Sequence, residues 1–97
     1  IPTTYPNTMV DQDYEKQKAR EMLTLIQQYE ETDEKKEINE DLYKLSDELY
    51  NQNREKLSQE MIDISLSVFS FTEAARSGGP LQPLDEFMGD LRGVIGG

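Results

Sequence analysis

Residues 37–76 read EINEDLYKLSDELYNQNREKLSQEMIDISLSVFSFTEAAR and contain neither glycine nor proline. Ile38, Leu42, Leu45 and Leu49 fall at i, i+4, i+7 and i+11, and Leu57, Met61, Ile64, Val68 and Phe71 take up the same alternation farther on. That is one apolar stripe of helical period, the pattern of a helix that buries a single face. Residues 51–56, NQNREK, interrupt it. Two readings follow: a bend at Asn51–Asn53 between two helices, or one long helix from Glu37 to about Arg76. Tyr43, Tyr50, Leu57, Ile64 and Phe71 are spaced by sevens without a slip, which favours the long helix. Asp47 and Arg54 at intervening positions keep the stripe from being a coiled-coil seam. At about 1.5 Å per residue the continuous helix would span about 60 Å.

Inside this stretch, DISLSVFSF at 63–71 nearly alternates apolar and polar residues, as a strand would. No other segment has strand texture to pair with it, so the expectation is helix. A helix places Ile62, Leu66 and Phe69 on a second stripe beside Met61, Ile64 and Val68. Ser65, Ser67 and Ser70 are small enough to admit close neighbours. The segment is therefore expected to be enclosed by other elements.

Upstream, Met22, Leu25, Ile26 and Tyr29 share a stripe with Tyr14, predicting a helix of about five turns that opens near Val10. Thr8 is the expected N-cap, and Thr32 or Asp33 should cap the helix that follows. Residues 1–9, rich in threonine and proline, read as an extended lead-in. Downstream, RSGGPLQP is the clearest break in the chain, and a Gly/Pro hinge is expected over 77–83. Leu84, Phe87, Met88, Leu91, Val94 and Ile95 then form a short amphipathic stripe within 84–97, weakened by Gly89 and Gly93. This stripe should fold back onto Met61–Phe71, helical when docked and displaceable by a partner. The expected fold is all-α, a helical hairpin or small helical bundle over 10–76 with one long helix and a short C-terminal amphipathic helix.

Twenty acids against ten bases give a net charge of −10, which phosphate backbones and anionic membranes repel. Direct binding to nucleic acid is not expected. The longest apolar run, Ile64–Phe71, is broken by serines and too short to span a bilayer. Histidine, cysteine and tryptophan are absent, which removes the common nucleophile–base pairs and nearly all zinc sites. Asp11, Asp13 and Glu15 have the spacing of a calcium loop's first ligands, but Lys16 and Met22 stand where its glycine and bidentate acid belong. A non-enzyme without cofactor or metal is expected.

The last residues, DLRGVIGG, resemble the end of a double-glycine leader, with Asp90, Leu91, Val94, Gly96 and Gly97 at its intervals. Phe87 stands one place off the usual upstream leucine, and the acidic helical body is longer than a typical leader. The resemblance implies a processing end at Gly96 and Gly97, as would cleavage of a viral polyprotein after Gly-Gly. A plain boundary is the other reading.

The expected function is a protein–protein interaction or oligomerisation module, or such a piece processed from a larger precursor. The first helix would cover about half of a 60 Å helix, leaving the rest to the C-terminal helix, another copy or a partner. Leu42, Leu45, Leu49, Leu57, Met61, Ile64, Val68 and Phe71 are the expected interface, and a homo-oligomer the expected assembly. The alternative is a small acidic inhibitor that mimics nucleic acid and blocks a basic partner site. Its candidate surface is the run from Glu30 to Asp41, with seven acids and two lysines.

Overall fold

The computed structural model describes residues 10–96, and its helices are α1 (Gln12–Glu31), α2 (Lys35–Asp47), α3 (Gln59–Ser77) and α4 (Leu84–Gly96). Among the described residues there is no strand. The lead-in over 1–9, the Thr8 cap and Gly97 lie outside them. Asp11 caps α1, its carboxylate accepting the Tyr14 N–H at 3.1 Å, and Asp13 and Glu15 complement the positive end of the helix dipole. At the other end Thr32 closes α1, and Glu34 rather than Thr32 or Asp33 holds the N-cap position of α2, without a side-chain cap. The Lys35 ammonium seals this corner instead, donating to the carbonyls of Tyr29 and Thr32.

The continuous helix over 37–76 does not form. α2 runs into a π-helical turn, Glu48–Gln52, closed by the Asn53 N–H on the Glu48 carbonyl at 3.0 Å. A 3₁₀ turn, Arg54–Lys56, follows, and the chain then reverses through an extended Leu57. Ser58 starts α3 afresh, its hydroxyl accepting the Met61 N–H at 3.3 Å. The reversal is held from far upstream. The buried Glu15 carboxylate accepts the Ser58 N–H at 2.6 Å, and the Asp11 N–H donates to the Lys56 carbonyl at 2.8 Å. Folding the stripe back on itself buries apolar surface that a straight 60 Å helix would leave in water, and this gain outweighs the lost helical bonds.

α3 ends on Gly78, which adopts a left-handed φ of 77° while the Gly79 N–H bonds the Ala74 carbonyl at 2.9 Å. This is a Schellman closure, and it turns the chain toward α4. Each helix packs against its sequence neighbours, and α4 returns to pack along α1, closing the circuit. Cross-links fix the directions as alternating. Asn39 near the start of α2 reaches the Thr72 carbonyl near the end of α3, and Lys18 early in α1 lies 3.5 Å from Glu48 just past α2. The result is a small antiparallel four-helix bundle. Met22, Ile26, Leu42, Leu49, Met61, Val68 and Leu91 form its fully buried centre. Ser46, Ser65 and Thr72 are also wholly buried, each satisfying its hydroxyl on a carbonyl of its own helix.

Candidate interaction face

The stripe expected to meet a partner lies inside the chain. Leu42, Leu45, Leu49, Leu57, Met61, Ile64, Val68 and Phe71 are all buried in the core of a single copy. The reversal at 53–58 sets its two halves on each other, and α1 and α4 close over them. Those residues become reachable only if the bundle opens. Phe87, Met88, Leu91 and Val94 are buried with them, whereas Leu84 and Ile95 pack at the margin. α4 therefore folds back as its stripe implies, but its longest contact is with α1 and not α3. Gly96 is exposed at the end of α4.

Enclosure of α3 is incomplete, contrary to the expectation for DISLSVFSF. Ile62 is buried, but Leu66 is 39% exposed and Phe69 is half-buried on the outer seam between α2 and α3. Phe69 lies between Tyr43 and Tyr50, with ring centroids 5.1 Å from each. Both tyrosines are half-buried. The Arg76 guanidinium sits 4.0 Å over the Tyr43 ring and donates at 2.7 Å to both oxygens of Glu40, with Glu73 at 3.7 Å. Its bond to Glu40 holds Arg76 above its ordinary pKa, so it stays charged.

Local sequence explains why rings collect here. Asn39 and Ser46 on α2, and Ser65 and Thr72 on α3, repeat at seven-residue spacing and are all buried. Asn39 donates to the Thr72 carbonyl at 3.1 Å, which places this small polar line between the two helices. The larger rings at 43, 50 and 69 are left at the rim. The Asn39 Oδ1 has no hydrogen-bond partner among the described residues. Beside it, a shallow hollow lined by Lys35, Lys36, Glu40 and Arg76 continues the seam toward the α1–α2 corner.

A second polar cluster lies at the opposite end of the bundle. The Tyr14 hydroxyl donates to Glu48 at 2.9 Å and accepts from Asn53 at 2.8 Å. Burial, reinforced by the bond to Glu48, pushes its pKa up to about 12. Its groups are mutually satisfied, and it ties α1 to the π turn. No group of three or more acidic, histidine or cysteine side chains suited to a metal ion occurs among the described residues. No helix among them is long and apolar enough to cross a membrane. Comparison of the chain with known protein families, curated proteins and solved structures finds no match.

Proposed function

We propose that this chain is a non-enzymatic protein-interaction module that binds through the outer α2–α3 face. The observation that carries the reading is the Tyr43–Phe69–Tyr50 cluster with Leu66 beside it. Leu66 and Leu81 are the exposed large hydrophobic residues among the described ones, and Leu66 stands three residues before Phe69 on α3, one helical turn from the aromatic cluster. Aromatic anchors dominate binding energy at interfaces, and contiguous exposed apolar surface is uncommon on a monomer without a partner. The adjoining π turn supports the same reading, since such turns recur at functional positions. Replacing Leu66 with Ser tests it. The variant should melt as the parent does while losing whatever partner, or second copy, the parent retains in a pull-down and in solution mass measurements. Unchanged retention by a folded variant would overturn the reading.

A second reading, the acidic inhibitor, draws on a separate observation. Glu30, Glu31, Asp33, Glu34 and Glu37 are exposed, and none forms an ion pair among the described residues. Lys35, within the same run, is turned onto backbone carbonyls. Salt separates the two readings. An acid-driven complex weakens steeply with ionic strength, whereas one anchored on Leu66 and Phe69 responds little.

A further inference from the structure

We infer that α4 is an exchangeable helix: two copies of this chain trade α4 and form a dimer, each lending it to the groove between α1 and α3 of the other. The outer α2–α3 face plays no part in this exchange. The occupant of the groove is read from the chain itself, because α4 already lies there, packed on α1 and α3 with Phe87, Met88, Leu91 and Val94 buried. The α4 of a second copy carries the same residues and makes the same contacts, so the exchange needs no new surface.

Three observations make α4 the element that can leave. First, polar bonds tie the rest of the bundle together: Glu15 to Ser58, Asn39 to Thr72, Tyr14 and Lys18 to Glu48, and Arg76 to Glu40. Among the described residues, no hydrogen bond or ion pair joins α4 to another helix. Second, α4 meets its own sign across one seam. Glu60 and Asp63 of α3 and Asp90 of α4 line a common hollow that has no base among its lining residues. Third, Gly89 and Gly93 weaken the helix although both positions face open space, where a side chain would fit.

The hinge sets the balance between closed and exchanged forms. Over residues 78–83, Pro80 and Pro83 fix their own φ and push Gly79 and Gln82 toward extended backbone. The turn back toward α1 is made by Gly78 in the left-handed region, at a φ of 77°. In the exchanged dimer the hinge runs on to the second copy, and Gly78 is released from that turn. The closed monomer prevails in the parent, because a tethered α4 returns to its own groove at a millimolar effective concentration. Gly78→Ala penalises the closed turn in both chains and leaves the extended hinge unpenalised.

The test compares the full-length parent with Gly78→Ala and Gly78→Asn by sedimentation equilibrium from micromolar to millimolar concentration. Salt is held at about 0.15 M, which screens the repulsion between two chains of net charge −10. The parent should dimerise only toward millimolar concentration. Gly78→Ala should dimerise about thirtyfold or more tighter, the combined effect of two relieved turns, with its helical circular dichroism retained in the dimer. Gly78→Asn should fall between the two, since asparagine tolerates the left-handed region. Mixing isotope-labelled with unlabelled Gly78→Ala should give intermolecular NMR contacts between Phe71 and Phe87, whose ring centroids lie 5.8 Å apart in the closed chain. Adding Leu66→Ser should leave that dimer unchanged. A Gly78→Ala chain that stays monomeric at millimolar concentration, or that unfolds without rescue by exchange, would overturn the inference. So would a dimer whose intermolecular contacts fall on Tyr43, Leu66 and Phe69, a result that supports the outer face instead.

Discussion

Phe71 of α3 meets Phe87 of α4 edge to face, with ring centroids 5.8 Å apart and planes at 87°. Tyr29 of α1 meets the same Phe71 at 5.4 Å and 77°. Three helices thus converge on one ring directly before the Gly78 turn. Edge-to-face pairs contribute about 0.5–1.5 kcal/mol each beyond their buried area, so this end of the bundle is a strong fastening for α4.

Phe87→Ala should therefore cost about 3–5 kcal/mol in urea denaturation, a large share of a small domain's stability. Amide exchange along α4 should accelerate before that of α2. Removing Pro80–Gly97 should go further, uncovering Phe71 and the faces of α1 and α3 that pack on α4, raising binding of a hydrophobic dye and promoting aggregation. A truncated chain that stays soluble, dye-silent and equally stable would mean that α4 contributes little to the core.

Two glycine substitutions should move stability in opposite directions. Gly78→Ala meets no atom within 4 Å but must hold a φ of 77°, so the backbone alone should cost about 1–2 kcal/mol. Gly89→Ala enters equally open space in the interior of α4 and should stabilise by about 1 kcal/mol. Thermal melts resolve both, at about 4–8 °C per kcal/mol for a domain of this size.

Alkaline pH should expose the Tyr14 cluster. An unfolded tyrosine releases its proton near 10.0, whereas folded Tyr14 holds its proton to about 12. The raised value means that its contribution is complete below pH 10.0 and is lost as pH climbs toward 12. The stability difference between parent and Tyr14→Phe should accordingly be flat up to pH 10.0 and shrink above it. A difference that is constant through this window would show that the hydroxyl titrates normally.

Core and face should separate cleanly by charge insertion. Leu45→Lys with Leu49→Lys places two ammonium groups at positions 8% and 0% exposed, and circular dichroism should show an unfolded chain at room temperature. Leu66→Ser, by contrast, should stay within about 0.5 kcal/mol of the parent, as surface changes usually do. A folded double-lysine variant would contradict the placement of α2.

Much of this architecture was legible in local pattern. The stripe Met22, Leu25, Ile26 and Tyr29 marks α1, Leu84–Ile95 marks α4, and the Gly78–Gly79 pair marks the turn between α3 and α4. The reversal after Gln52 was legible only as the less favoured of two readings, the bend at Asn51–Asn53, because the groups that satisfy its backbone are Asp11 and Glu15, and Glu15 lies 43 residues from Ser58. Heptad spacing survives such a reversal, since each half of the stripe still faces the same core. Which stripe of α3 is buried was not legible, for a related reason. α3 carries apolar residues on two stripes, and periodicity does not tell which one is left outside. The signal available was on α2, where Tyr43 and Tyr50 repeat seven apart as half-polar rings suited to a boundary.

The π turn at Glu48–Gln52 has a consequence for how chain length can vary. A π turn amounts to an α-helix holding one surplus residue, and here it is followed at once by a segment outside the α-helices. Deleting one residue at 51 or 52 would restore regular helical bonding there while leaving the register of α2 and the restart at Ser58 intact. The same deletion inside α2 or α3 would rotate every later side chain of that helix by about 100°, turning core leucines to water. Among descendants of this sequence, single-residue losses should therefore accumulate at 51–52 and be purged from the helices on either side.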